Sequence, residues 1–318
     1  MFENTSILVT GGAGFIGSHI CKFLCQNNVK LLRIVDNLST GFKNNIADIT
    51  NNNNVEFVCG DITDIEICRQ AVKNIDIVCH QAAVGSVPLS INDPLRSFNN
   101  NVNGFFNIIL ACQEVGIKRF VYASSSSVYG DDTSEKKSED IIGKPLSPYA
   151  ATKYIDEILA GMFHRVYSFE SIGLRYFNVF GPNQNPNGPY AAVIPKFINS
   201  LANKEPVTIN GDGNNSRDFT YVDNVVFANI LALSTNDANC YGQVFNIATS
   251  NEVTINDLFY TIRNQLNSDS NQEPIYGPAR KGDVINSCAN IQNARKFLKY
   301  EPKVMFNEGI KKTITSFI

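Results

Sequence analysis

The chain has no tryptophan, three methionines and three histidines in 318 residues. His19, His80 and His164 stand far apart without ligand-like neighbours. A zinc site needs clustered ligands, so no metal is expected. Charge is also scarce. Charged residues make up 18% and the formal net charge is −3, which offers no global attraction for nucleic acid or an anionic membrane. Any phosphate binding has to be local. No apolar run reaches the ~18 residues of a membrane span. The opening "MFENTSILVT" shows neither a basic n-region nor a cleavage site, so no signal peptide is expected. None of the eight cysteines forms a Cys-x-x-Cys pair, and most sit in apolar runs such as "VEFVCG" and "DIVCHQ". They are expected to be reduced core residues of a cytosolic protein.

What remains is a chain that is 43% hydrophobic and long enough for one large domain or two intimate ones. Its first half alternates strand and helix signals. "SILVT" reads as a buried strand, Gly14 to Asn27 as a helix and "KLLRIVD" as a second strand. "VEFVCG", "DIVCHQA", "KRFVYASS" and "ESIGLRYF" are further strands, each after a helical segment. This alternation predicts an α/β fold, a Rossmann-type doubly wound parallel sheet, with functional loops at the carboxyl ends of the strands. After Phe177 the texture changes to the loop "GPNQNPNGPY" and shorter elements. A smaller α/β C-terminal substrate lobe is expected over 178–217 and 249–318. Residues 1–177 would form the first lobe, with a return to it at about 218–248 through "GQVFNIA".

"TGGAGFIG", Thr10 to Gly17, follows a strand and opens a helix. Gly11, Gly14 and Gly17 let the backbone turn tightly and approach a pyrophosphate, while the helix N-terminus offers N–H groups and partial positive charge. Asp36 ends the second strand, 19 residues beyond Gly17, where a carboxylate can accept hydrogen bonds from a ribose 2′-hydroxyl. It would repel a 2′-phosphate, so NAD is expected rather than NADP.

"SPYAATK" places Tyr149 and Lys153 one turn apart on a predicted helix from about Pro148 to Tyr167. A free tyrosine keeps its proton to pH ~10, and ionising it near neutrality takes about 4 kcal/mol. One ammonium about 5–6 Å away supplies ~3 kcal/mol at an effective dielectric near 20. The pair therefore works as a base only with a second cation, such as an oxidised nicotinamide. "YASSSSVYGD" brings a serine run to a strand end beside it.

These features together resemble the extended short-chain dehydrogenase/reductase family. "GSVPLSINDP", "NNVNG", "RYFNVFGP", "AAVIPKF", "INGDGNNSRDF" and "RKGDV" are most similar to its nucleotide-sugar 4-epimerases, in the branch acting on UDP-N-acetylglucosamine. The resemblance implies Tyr149 as acid/base, Lys153 as its electrostatic partner, both also bordering the cofactor with Lys153 on the nicotinamide ribose, and Ser125 or Ser126, with Ser126 favoured, bonding the reacting oxygen. Phe15, Ile16, Asn37, Asp61, Ile62, Gln81, Ala82, Asn101, Tyr176 and Val179 would join the glycines and Asp36 around NAD. Asn178 and Arg217 would meet a diphosphate. Val193, Lys196 and Asn210 would surround the uridine, with Arg280 and Asp283 on phosphate and ribose. A small Ser287 would leave room for an N-acetyl group, and Gly85 and Ser86 resemble the N-acetyl-preferring branch. Exchange of UDP-N-acetylglucosamine and UDP-N-acetylgalactosamine is implied, with plain hexoses or uronic acids as further substrates, in a cytoplasmic homodimer built on helices at about 94–115 and 148–167. The alternatives are a nucleotide-sugar 4,6-dehydratase and a silent NAD-binding scaffold.

Overall fold

The computed structural model describes residues 2–187, 191–266, 272–279 and 286–317. Seven parallel strands form the main sheet: β1 (Ser6–Thr10), β2 (Leu31–Asp36), β3 (Val55–Cys59), β4 (Ile77–His80), β5 (Arg119–Ser125), β6 (Ser171–Tyr176) and β7 (Gln243–Ile247). Their order is β3-β2-β1-β4-β5-β6-β7. Chain order reverses between β1 and β4, which opens the crevice where doubly wound folds bind ligands. The inner strands are continuous apolar runs because both faces are covered. Alternate residues serve opposite sides: Ile7 and Val9 enter one core cluster, Leu8 the other.

One face carries helix α1 (Phe15–Gln26), through Ile20, Cys21 and Leu24. The other carries helices α2 (Gly104–Glu114) and α3 (Pro148–Tyr167), through Phe105, Ile108 and Phe163. α3 starts where the sequence says it should. Ser147 Oγ accepts the Ala150 N–H at 3.1 Å, and Pro148 occupies the first turn, where its missing N–H costs nothing.

Beyond β6 the chain builds a third apolar cluster with helix α4 (Val193–Ala202), around Phe180, Phe197, Phe259 and Phe306. It returns to the main sheet with helix α5 (Val222–Ser234) and β7. A separate four-stranded sheet pairs 252–254, 216–218, 286–289 and 136–137 in that order. The short strand Lys136–Lys137 thus leaves the loop after β5 to join this second sheet, which no local pattern announces.

No helix among the described residues is long and apolar enough to cross a membrane. All eight cysteines are free thiols, six of them buried. Burial pushes the Cys68 and Cys79 thiols up to about 12, which keeps them inert. Cys59 departs from the core expectation: it ends the edge strand β3 and is exposed.

Candidate active site

The carboxyl ends of β1, β2, β4, β5 and β6 open onto one cavity of about 1180 Å³, which extends to Lys196 of α4 and Arg217 of the strand 216–218. At one end, α1 begins at Gly14 with no side chain capping it. Gly14, Phe15, Ile16 and Gly17 line the wall there, so the first-turn N–H groups and the positive end of the helix dipole are offered to a ligand. Two glycines are dictated by space. A Cβ on Gly11, whose φ is +67°, would come within 2.6 Å of the Ala82 nitrogen; one on Gly17 would come within 2.2 Å of the Gly11 carbonyl oxygen. Asp36 lines the same end, at the tip of β2. Its oxygens accept one bond each, from Ala13 N–H at 3.0 Å and Leu38 N–H at 2.8 Å, and can accept more. Burial pushes its carboxyl up, against those two bonds. Asn37 and Ile62 are on the wall; Asp61 stands next to it, accepting a bond from Asn37 Nδ2 at 2.8 Å.

The floor is made by Gln81, Ala82 and Tyr176. The Tyr176 hydroxyl lies 3.1 Å from Gln81 Oε1 and 2.8 Å from Asn229 Nδ2, so an asparagine of α5 fixes it from behind. Asn101 is also behind the wall: it accepts Val84 N–H at 2.8 Å and donates to Thr152 Oγ1 at 3.0 Å, fastening the loop after β4 to α3.

In the middle stand Tyr149, Lys153 and the serines. Tyr149 is half-buried on the wall, its N–H donating to Ser90 Oγ at 3.0 Å. Lys153 is 2% exposed, and its Nζ donates to the Ala123 carbonyl at 3.0 Å and to Asp156 Oδ2 at 3.2 Å. Ser125 Oγ accepts from Ser127 N–H and lies 2.9 Å from Ser127 Oγ, so it serves as a turn cap. Ser126 follows it on the wall. Ser124 is committed elsewhere, donating to Glu157 Oε1 at 2.5 Å.

That bond is the entry to a buried polar strut which the sequence reading missed. Glu157 takes both forks of Arg175, each at 2.8 Å, and Arg175 Nη1 donates to the Tyr129 hydroxyl at 2.9 Å. The Tyr129 hydroxyl donates to Asn246 Oδ1 at 2.6 Å. The strut therefore ties α3 to β5, β6 and β7 beneath the reacting groups. Its signal was readable in part: Glu157 is one turn after Lys153, and an arginine inside the buried run "SIGLRY" demands a partner.

At the far end Asn178, Val179, Lys196, Arg217, Gly85 and Ser287 are on the wall. Where Gly85 would carry a Cβ, nothing stands within 4 Å. Ser86 is not on the wall; its Oγ caps the helix 87–92 by accepting Leu89 N–H at 3.2 Å. Val193, at the start of α4, and Asn210, at the end of the strand 208–210, are off it too. Arg280 and Asp283 lie outside the described residues. Asp218 is fully buried and accepts Thr249 N–H, Thr249 Oγ1–H and Ala289 N–H, while Arg217 Nη1 donates to the Ser216 carbonyl at 2.7 Å. Gln184, also missed, is on the wall with a buried Oε1 that accepts no hydrogen bond.

The model of the NAD dependent epimerase/dehydratase family matches residues 7–248. The chain belongs to that family. It is 39% identical to a putative UDP-glucose 4-epimerase of Methanocaldococcus jannaschii over 97% of each chain. Among solved structures, it is similar to the UDP-N-acetylglucosamine 4-epimerase of Methanobrevibacter ruminantium in complex with UDP-N-acetylmuramic acid, with a TM-score of 0.93, 39% identity and 99% of each chain covered. The UDP-glucose 4-epimerase of Thermotoga maritima with UDP-glucose gives 0.91, 38% and 98% of each chain. The likeness extends to a dTDP-glucose 4,6-dehydratase of Streptomyces venezuelae, at 0.91, 28%, and 98% and 96% covered. The chain is accordingly an NAD-using isomerase of the nucleotide-sugar 4-epimerase kind. Its residues fit that cofactor: an uncapped helix N-terminus suits the pyrophosphate, glycines stand where a Cβ would collide, and a carboxylate suits the ribose diol.

Proposed function

We propose that the chain inverts carbon 4 of UDP-N-acetylhexosamines, interconverting UDP-N-acetylglucosamine and UDP-N-acetylgalactosamine. One observation carries the reading: Gly14 and Asp36, Tyr149 and Lys153, and Arg217 and Ser287 all line the same cavity. Its volume, about 1180 Å³, exceeds what one drug-sized ligand needs and suits a dinucleotide and a sugar nucleotide together. In this reading 1–177 with the return at about 218–248 is the cofactor lobe, and 178–217 with 249–318 holds the UDP-sugar. Gly11, Gly14, Phe15, Ile16 and Gly17 hold the pyrophosphate and Asp36 a ribose. Bound NAD supplies a hydride acceptor that makes oxidation of a sugar hydroxyl reversible. Tyr149 takes the proton of the 4-hydroxyl, and Lys153 stabilises the phenolate. Ser126 donates to the same oxygen, Ser125 being held as a cap. Arg217 and Lys196 anchor the diphosphate and uridine ends while the 4-keto sugar turns, so that the hydride would come back on the opposite face of carbon 4 and Tyr149 returns its proton to the carbonyl oxygen.

Two features support the acetylated sugar. Ser287 is a small residue on the wall, and the space beside Gly85 is open. The M. ruminantium neighbour is named for UDP-N-acetylglucosamine. Replacing Ser287 with tyrosine is expected to lower kcat/KM for UDP-N-acetylglucosamine about ten-fold more than for UDP-glucose, since overpacking costs ~1–3 kcal/mol. Equal losses on the two sugars would remove the argument. Dehydration would need a carboxylic acid beside the sugar to expel a hydroxyl. The end of β5 carries only serines there, and Glu157 is bound to Arg175.

The defining experiment incubates purified protein with UDP-glucose, UDP-galactose, UDP-N-acetylglucosamine and UDP-glucuronate, without added NAD, and reads the products by NMR. UDP-N-acetylgalactosamine is expected. Conversion of the non-acetylated sugars alone would overturn the preference, and no epimer from any of them would overturn the function.

A homodimer is part of the proposal. Leu95 (68% exposed), Phe98, Phe106 and Ile158 (50%) leave an apolar face on segment 94–115 and α3. Leu95→Asp with Ile158→Asp is expected to give a folded monomer by light scattering; a parent protein that is already monomeric would refute this.

A further inference from the structure

Lys153 has more than one anion to serve. Beside the phenol it is proposed to stabilise, it is bound at 3.2 Å to the Asp156 carboxylate, one turn along the same helix. Both side chains are sealed from water, at 2% and 0% exposure. Asp156 Oδ1 is buried and accepts no hydrogen bond. A bare carboxylate oxygen away from water is costly, and protonation lowers that cost.

Resting on the Tyr149–Lys153 reading given above, we propose that Asp156 is a positioning residue that competes with Tyr149 for the Lys153 ammonium, so that the phenol ionises most readily while Asp156 carries a proton. The surrounding charges leave this competition in place. Glu157, next on α3, is matched by Arg175 from β6. His80 on β4 faces Lys153, and burial followed by that ammonium brings it down to about 3, so it stays neutral. Tyr122 on β5 is fully buried and pushed well up, by burial and then by Glu157 and Asp156, so it keeps its proton. Asp156 itself is pushed up to about 7 by burial, against Lys153. With Asp156 ionised, the lysine's charge is already matched and offers a phenolate little net stabilisation. With Asp156 protonated, the lysine's charge is available to the phenolate. The two groups titrate as a pair.

Asp156→Asn keeps an oxygen for Lys153 and removes the competing charge. The test follows tyrosinate absorbance against pH in NAD-saturated protein, with the Tyr149→Phe counterpart of each variant subtracted. The midpoint is expected to fall by about one pH unit in Asp156→Asn, and the rising limb of kcat/KM for UDP-N-acetylglucosamine to move with it. Superimposable titrations would overturn the proposal. Asp156→Ser is the second arm; if neither variant folds, Asp156 is a structural support and the proposal fails. The absorbance reading needs no substrate, so a shifted midpoint in a protein that epimerises no UDP-sugar would refute the function and not the competition.

Discussion

Replacing Tyr149 with phenylalanine is expected to cut turnover of UDP-N-acetylglucosamine by about 10²–10⁴-fold, the range typical for removing one positioned acid/base. NAD is expected to remain bound, because the cradle is built elsewhere. Gly11, Gly14, Gly17 and Asp36 belong to the turn after β1, the start of α1 and the end of β2, whereas Tyr149 projects from α3, which packs on the opposite face of the sheet from α1. The same variant is expected to leave UDP affinity intact, since Arg217 and Lys196 stand on the strand 216–218 and on α4, away from α3. Turnover measured beside cofactor content separates the outcomes. Activity within about ten-fold of the parent would remove Tyr149 from the chemistry. Loss of NAD would make it a binding residue instead.

Glu157→Gln is expected to destabilise the fold by about 3–5 kcal/mol, the range for removing one partner of a buried pair. Glu157 is 8% and Arg175 2% exposed, and they meet through two bonds of 2.8 Å. The change leaves a guanidinium buried without its anion and turns an acceptor that held Ser124 into a group that can also donate. Urea unfolding gives the measurement. The double variant Glu157→Gln with Arg175→Met is expected to recover much of the loss, because the stranded charge is gone. A single variant within about 0.5 kcal/mol of the parent would mean that the pair is not structurally required.

The site was legible in the sequence wherever its chemistry is local. Glycines between a strand and a helix, an acid ending the next strand, and Ser147-Pro148 opening a helix with a phenol and an ammonium one turn apart are all short-range patterns, each with a backbone reason. The parts that went unread depend on pairings across the fold. Arg175 and Glu157 come from adjacent elements, but Tyr129 reaches Asn246 from 117 residues away. The strand Lys136–Lys137 exists because 286–289 receives it in the second sheet. Gln184 is an ordinary loop residue until the cavity forms around it. Asp156 was visible as an acid three residues after Lys153, yet only its depth reveals that the two bury each other. Ser86 and Asn101 show the reverse: motif residues that support the wall from outside it.

The central claim is a transient ketone at carbon 4, with the hydroxyl proton handled by Tyr149 and the carbon-bound hydrogen kept away from water. UDP-N-acetylglucosamine deuterated at carbon 4 tests it most directly. After conversion in ordinary water, NMR is expected to find UDP-N-acetylgalactosamine with deuterium still on carbon 4. Product that has exchanged that deuterium for solvent hydrogen would contradict the account.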